Sequence, residues 1–174
     1  MLGGGAALML LISVYALTRG APVDAFNIAV LRFDNETGDA ALDQFAGGLT
    51  DSLVADLTNA GTGRFGVIGN ATILRQPRSQ RDIVAIGSQL HSRYIILGQV
   101  QRYGSEVRVL AHLIRLPDQT HVWVSRADFP MDDTLKRESE FSRRAASEFS
   151  AHLSPGADQK TASQPAASNS AHGS

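Results

Sequence analysis

FNIAVLRFDNETGD, residues 26–39, decides how the rest of the chain is read. Its first eight residues, 26–33, form an almost unbroken apolar run of the length of a buried strand. The acidic turn over 35–38 closes in glycine, the chemistry of a chain reversal, and Asp39 is suited to cap a helix. From residue 40 the period changes: Leu42, Phe45, Ala46, Leu49, Leu53 and Leu57 recur at helical spacing over 40–59. Asp43 in the first turn suits the helix dipole. A strand running through a tight turn into an amphipathic helix is the opening of an α/β unit.

The same turn carries three carboxylates, Asp34, Glu36 and Asp39, which in number could serve a hard cation. Their spacing does not fit an EF-hand loop: Gly38 stands fifth from Asp34 rather than sixth, and no glutamate stands twelfth. Gly47-Gly48 lies inside the helical pattern, not ahead of it, so it makes no phosphate cradle. Small residues there let helix and sheet approach closely, at some cost in helix propensity. The turn therefore reads as a solvated reversal and cap, with no metal or cofactor site.

Downstream, Asn59-Ala60-Gly61 ends the helix before a short strand over 64–68. The pattern over 70–79 does not decide between helix and loop, and Pro77 limits any helix there. A second helix over 80–90 places Ile83, Ile86, Gly87 and Leu90 on one face. Three β-rich runs follow, 93–103, 106–116 and 120–129, joined by connections short enough for hairpins. A last helix over 133–153 spaces Phe141, Ala145, Phe149 and Leu153 four apart. The expected fold is α/β with a mixed sheet, in the order β-α-β-α-β-β-β-α, preceded by one transmembrane helix.

A two-residue turn at 118–119 would set His112 opposite Ser125 and His121 opposite Leu116. The two histidines would then share a face but stand roughly 13 Å apart, too far to share a metal ion. In that register Tyr94, Ile96, Val100, Val107, Val109, Ala111, Leu113, Val122 and Val124 form one apolar face against the first two helices. The other face is mixed, and Leu110, Ile114, Leu116 and Trp123 form its apolar patch. Either the last helix covers that patch or it is an interaction surface.

With 174 residues, 43% hydrophobic and 19% charged, the chain suits one compact domain with appendages. A net charge of −1 and scattered basic residues argue against nucleic acid as a partner. The absence of cysteine excludes disulfides, thiolate metal sites and a cysteine nucleophile. No G-x-S-x-G or other nucleophile motif is present, so no catalytic residue is assigned.

Residues 2–18 are uncharged and mostly apolar, at the short end of what crosses a bilayer. They read as a transmembrane or signal-anchor segment over 1–20, followed by a linker over 21–25. A cleaved signal peptide is the rival: Val14-Tyr15-Ala16 is a tolerable cleavage site, but no Lys or Arg precedes the run. Residues 154–174, rich in Ala, Ser, Pro and Gln, read as a disordered tail. The folded unit is then 26–153.

Across that unit Ile28-Ala29-Val30-Leu31-Arg32-Phe33, Asn35, Thr37-Gly38-Asp39, the Phe45–Asp51 helix stretch, Gly98-Gln99-Val100, the run from Val107 to Ile114, and Val122-Trp123 fall in a familiar order. The chain resembles the TolB amino-terminal-like domain family, which also forms the extracytoplasmic part of some bacterial cyclase-like and CadC-like membrane regulators. CsgG-like, FlgO-like and penicillin-binding-protein-activator domains share a looser version of the pattern. Two residues depart from it: Arg32 stands where the family usually has Pro, and Gly47 where it usually has Asp.

The resemblance implies a non-catalytic module in the periplasm, anchored by one helix in the bacterial inner membrane and acting on an envelope protein partner. An alternative is the extracytoplasmic sensory part of a larger transcriptional or cyclase-type regulator whose effector domain would precede Met1. A small-ligand or metal-dependent enzyme is the third reading, and would need a concave site with converging titratable groups.

Overall fold

The computed structural model describes residues 26–130 and 134–153. The anchor over 1–20, the linker over 21–25 and the tail over 154–174 lie outside the described residues. Among those described, no helix is long and apolar enough to cross a membrane.

The elements are β1 (Phe26–Val30), β2 (Asp34–Asn35), α1 (Asp43–Ala60), β3 (Phe65–Ile68), α2 (Ile83–Gln89), β4 (Ser92–Tyr103), β5 (Glu106–Arg115), β6 (Thr120–Pro130) and α3 (Thr134–His152). Single 3-10 turns sit at Ala40–Leu42, Thr72–Arg75 and Arg78–Gln80. One mixed sheet runs β3-β1-β4-β5-β6, with β2 paired to β4. β1 is parallel to β3 and β4, and β4, β5 and β6 form an antiparallel meander. The crossover β1-α1-β3 steps to one side of β1, and β3-α2-β4 runs back across the sheet in the opposite direction, past β1. Crossovers of one hand then place α1 and α2 on opposite faces of the sheet, as observed.

The expected strand over 26–33 stops at Val30. Leu31 N–H donates to Ile96 O, but Arg32 N–H turns to Leu74 O, so the chain leaves the sheet edge for the 3-10 segment. It rejoins at β2, which adds a strand where the sequence shows only a turn. Asp39 caps the 3-10 turn ahead of α1, accepting from Ala41 N–H at 3.0 Å. The second helix begins at 83 instead of 80 because Asp82 Oδ1 accepts from both Val84 and Ala85 N–H, closing off anything earlier.

Tyr94, Ile96, Val100, Val107, Val109, Ala111 and Leu113 project into the main core as read, joined there by Ile28 and Val30 of β1. The helix that joins α1 over them is α3, not α2. Phe141, Ala145, Phe149 and Leu153 all enter this core, so α3 does not cover the second face. Ser52 Oγ donates to Glu138 and Ser142 Oγ to Asp56, each at 2.6 Å, pinning the two helices side by side. Gly48 is where that contact is closest, since a β-carbon there would run into the Glu138 carboxylate. The close approach is thus helix to helix instead of helix to sheet. Among the described α-helices α2 takes the second face, together with the 3-10 segment of Leu74, and Ala29, Leu31, Leu74, Ile86, Ile95 and Ile114 form a smaller core.

The last hairpin differs from the expected register. Arg115 pairs with Thr120 across a four-residue loop, with Gln119 in the left-handed region at φ 56°. A bulge then sets both Val122 and Trp123 against Leu113, so His112 opposes Val124 and His121 opposes Ile114. Because side chains alternate with period two, this moves Trp123 and Ser125 to the main-core side and Val124 to the second face. The expected 13 Å between the histidines falls away: their rings lie 5.3 Å apart.

Candidate functional site

The acidic turn is held internally. Asn35 Oδ1 accepts from Thr37 N–H and Oγ1, while its Nδ2 donates to Asp39 O at 2.7 Å and Asp43 Oδ1 at 2.8 Å. Gly38 takes φ 77°, a conformation glycine adopts without cost. Arg81 grips Asp34 with both terminal nitrogens, at 2.6 and 2.8 Å, and its side chain is only 5% exposed. Arg78 pairs with Glu36, which also accepts from Gln101 Nε2 at 2.9 Å. Among the described residues no three potential metal-ligand side chains gather.

Asp34, Arg78, Arg81, Ile83, Leu97, Gln99 and Gln119 line a cleft of about 270 Å³ at the edge of the second core. Beyond it the second sheet face carries Gln101, Arg108, Leu110, His112, His121, Val124, Arg126 and Asp128, with no helix over them among the described residues. Asp128 accepts from Arg108 Nε at 2.7 Å and from Arg126 Nη2 at 2.8 Å. Those two guanidinium groups hold its carboxyl well below the usual carboxylate range, Arg108 foremost. Arg108 also lies 3.6 Å over the Tyr103 ring.

His112 is half-buried, and its Nδ1 is buried without a hydrogen-bond partner. Burial, then the neighbouring His121 and Arg78, push its pKa below the ordinary 6.5. The unfolded chain therefore takes up a proton at a pH where the fold still refuses it. This contribution is intact above 6.5 and is lost as pH falls through 6.5 toward the lower folded value. Urea midpoints should drop between about pH 7.5 and about pH 5.5, and His112→Gln should make that drop shallower. An unchanged slope in the variant would assign the acid sensitivity elsewhere.

The four residues expected to form one interaction patch are not brought together. Leu110 is half-buried on the open face, whereas Ile114 is buried in the second core. Leu116 packs against that core over Gly87. Trp123 is on the opposite side of the sheet, stacked on His152 at 4.1 Å with its Nε1–H donating to Glu148 at 3.2 Å. The bulge at 122–123 is the cause.

What the sequence reading missed is the free edge of β6. The N–H of Leu31 bonds Ile96 O and that of Glu36 bonds Val100 O, so those two β4 residues face away from β5. Gln99 between them faces β5 and its partner Leu110, which leaves Leu110 facing away from β6. Arg126, opposite Leu110, must then point its backbone groups outward, and its carbonyl indeed accepts from Arg144 Nη2 at 2.7 Å. Val124 and Asp128, two residues away on either side, point the same way. Trp123 and Val124, 39% and 40% exposed, are large apolar side chains on this same strand. Among the described residues no strand pairs with the outer edge of β6.

No family model matches the sequence. The chain is 28% identical over 138 residues to "Putative adenylate cyclase 3" of Rhizobium meliloti (strain 1021), covering 79% of this chain and 23% of that protein. In structure it is similar to TolB from Acinetobacter baumannii, with a TM-score of 0.50 and 18% identity over 79% of this chain and 31% of TolB. It is also similar to PelC, solved as a dodecamer, from Paraburkholderia phytofirmans, with a TM-score of 0.51 and 17% identity over 76% of this chain and 93% of that one. The chain thus spans less than a quarter of the cyclase-named relative and under a third of TolB. The likeness is one of fold: the described residues form a mixed-sheet α/β domain with a TolB-like fold.

Proposed function

We propose that this chain is a non-catalytic module of the bacterial envelope that acts by protein contact, and that the outer edge of β6 is the surface it offers. The observation that carries this reading is an eleven-residue edge strand with outward backbone groups at Val124, Arg126 and Asp128 beside exposed Trp123 and Val124. Such an edge is a template for an added strand, with backbone bonds giving affinity and alternate side chains giving selectivity. The apolar run over 2–18 anchors the module as a single pass in the inner membrane, with the domain in the periplasm. That placement rests on the length of the run and on the likeness to TolB-like domains. Catalysis has no part in this reading, since Asp34 and Glu36 are committed to Arg81 and Arg78.

The cyclase-named relative favours a second reading, the extracytoplasmic sensory part of a larger regulator. An in-frame effector domain upstream of Met1 in the gene would select it.

A photoreactive residue placed at 124 or at 88 in the native envelope tests the main reading. Position 124 lies on the β6 edge and Ser88 on the exposed side of α2. Protein adducts are expected from 124 and not from 88. Equal capture from both sites, or capture from 88 alone, would remove β6 as the contact surface.

A further inference from the structure

A second cleft, of about 240 Å³, lies on the other side of the acidic turn and is lined by Arg32, Gly47, Thr50, Asp51, Leu74 and Arg75. Arg32 follows β1 by two residues, and Gly69, also at the cleft, directly follows β3. The cleft thus opens at the carboxyl ends of two neighbouring parallel strands. Ligands of open α/β sheets bind outside the carboxyl ends of the strands, and this cleft opens at that end of the sheet.

The charges in this cleft are unusual for the molecule. Arg64, Arg78, Arg81, Arg93, Arg102, Arg108, Arg115, Arg126, Arg137, Arg143 and Arg144 all have a hydrogen-bond, ion-pair or ring partner. Among the described residues, Arg32 and Arg75 are the arginines with none, and both line the same cleft. Asp51 lies beside them without an ion pair to either, leaving the lining net positive.

Positions 32 and 47, the two departures from the family pattern, lie against each other. A β-carbon on Gly47 would stand 4.0 Å from Arg32 Nη2. A carboxylate there would reach the guanidinium, so glycine at 47 both leaves the space open and leaves Arg32 without its nearest possible partner. Guanidinium groups with free donor forks match the oxygens of a carboxylate or phosphate.

We propose that this cleft binds a small oxyanion, a phosphate or carboxylate group, between Arg32 and Arg75. The single carboxylate of Asp51 limits the site to small anions instead of a polyanionic chain. The proposal does not depend on the β6 edge and stands or falls separately from it.

The test is titration of the full chain with inorganic phosphate, acetate or succinate at constant ionic strength, followed by calorimetry and by the arginine Nε–Hε resonances. Saturable shifts are expected for two arginine side chains. Arg32→Gln and Arg75→Gln should each weaken binding about tenfold or more, and Arg78→Gln should leave it unchanged. Gly47→Asp should abolish binding through an internal pair with Arg32 while leaving the thermal midpoint unchanged or higher, because glycine inside a helix is itself unfavourable. Preference for phosphate over the two carboxylates identifies a phosphate-bearing ligand, and the reverse a carboxylate-bearing one. Absence of saturable binding, or binding indifferent to both Arg32→Gln and Arg75→Gln, overturns the proposal.

Discussion

Gly98→Val is expected to cost about 3 kcal/mol or more, a large fraction of the stability of an ordinary domain. The Phe33 ring lies flat over Gly98, so a β-carbon there would run into three of its ring atoms. Phe33 has nowhere to go: it is 2% exposed in the main core, and its N–H is tied to Thr50 Oγ1 at 3.0 Å. Thr50 is itself buried and its hydroxyl donates a hydrogen bond to Ala46 O, so the strand, the ring and α1 are fixed together. Relief must therefore come from the ring. Urea denaturation of Gly98→Val, Phe33→Leu and the double variant measures this, and the double variant should be more stable than the sum of the single losses requires. Strict additivity would show that the ring and Gly98 do not compete for the same space.

Asp34→Ala is expected to destabilise by about 2–4 kcal/mol, the range for stranding one half of a buried ion pair after some discount for the partial exposure of Asp34. Arg81 loses both of its charge-assisted bonds, and its side chain has little access to water in their place. Replacing both members, as Asp34→Leu with Arg81→Met, should recover much of that loss, because the stranded charge and its desolvation are removed together. If Asp34→Ala unfolds at the same urea concentration as the parent chain, the turn is not fastened by this pair.

These two contacts show what could be read from the sequence and what could not. Period and turn chemistry along the chain located the three α-helices of the described residues and the long strands, since those signals are local: an apolar repeat in α1, Asn35 and Gly38 in the turn, alternation in β4 and β5. The Asp34–Arg81 pair joins residues 47 apart, and nothing in either neighbourhood marks the other. Without Arg81 and Arg78 in view, the acidic turn reads as a solvated reversal and helix cap. With them it is an anchor for the 3-10 segment.

The face occupied by α3 was hidden for a related reason. An amphipathic stripe states that a helix is buried but not against which layer, and the Ser52–Glu138 and Ser142–Asp56 bonds that decide it are long-range. The hairpin failed on one residue. The sequence gives no cue for a bulge at 122–123, yet that single insertion inverts the side-chain pattern of β6. It takes Trp123 off the surface proposed from alternation and puts Val124 on it. The edge itself became visible only after backbone directions were traced from β1 and β2 through β4 and β5. Arg32 and Gly47 were legible as departures from a pattern, but their contact was not.

The edge of β6 can be tested with one substitution. Val124 points its N–H outward, away from β5, so proline there removes an edge donor without removing a bond of the sheet. In a chain carrying the photoreactive residue at 126, Val124→Pro should reduce partner capture at least about tenfold while the thermal midpoint moves by only a few degrees. Undiminished capture by a chain that remains folded would contradict strand addition at β6 and, with it, the account of how this module makes its contacts.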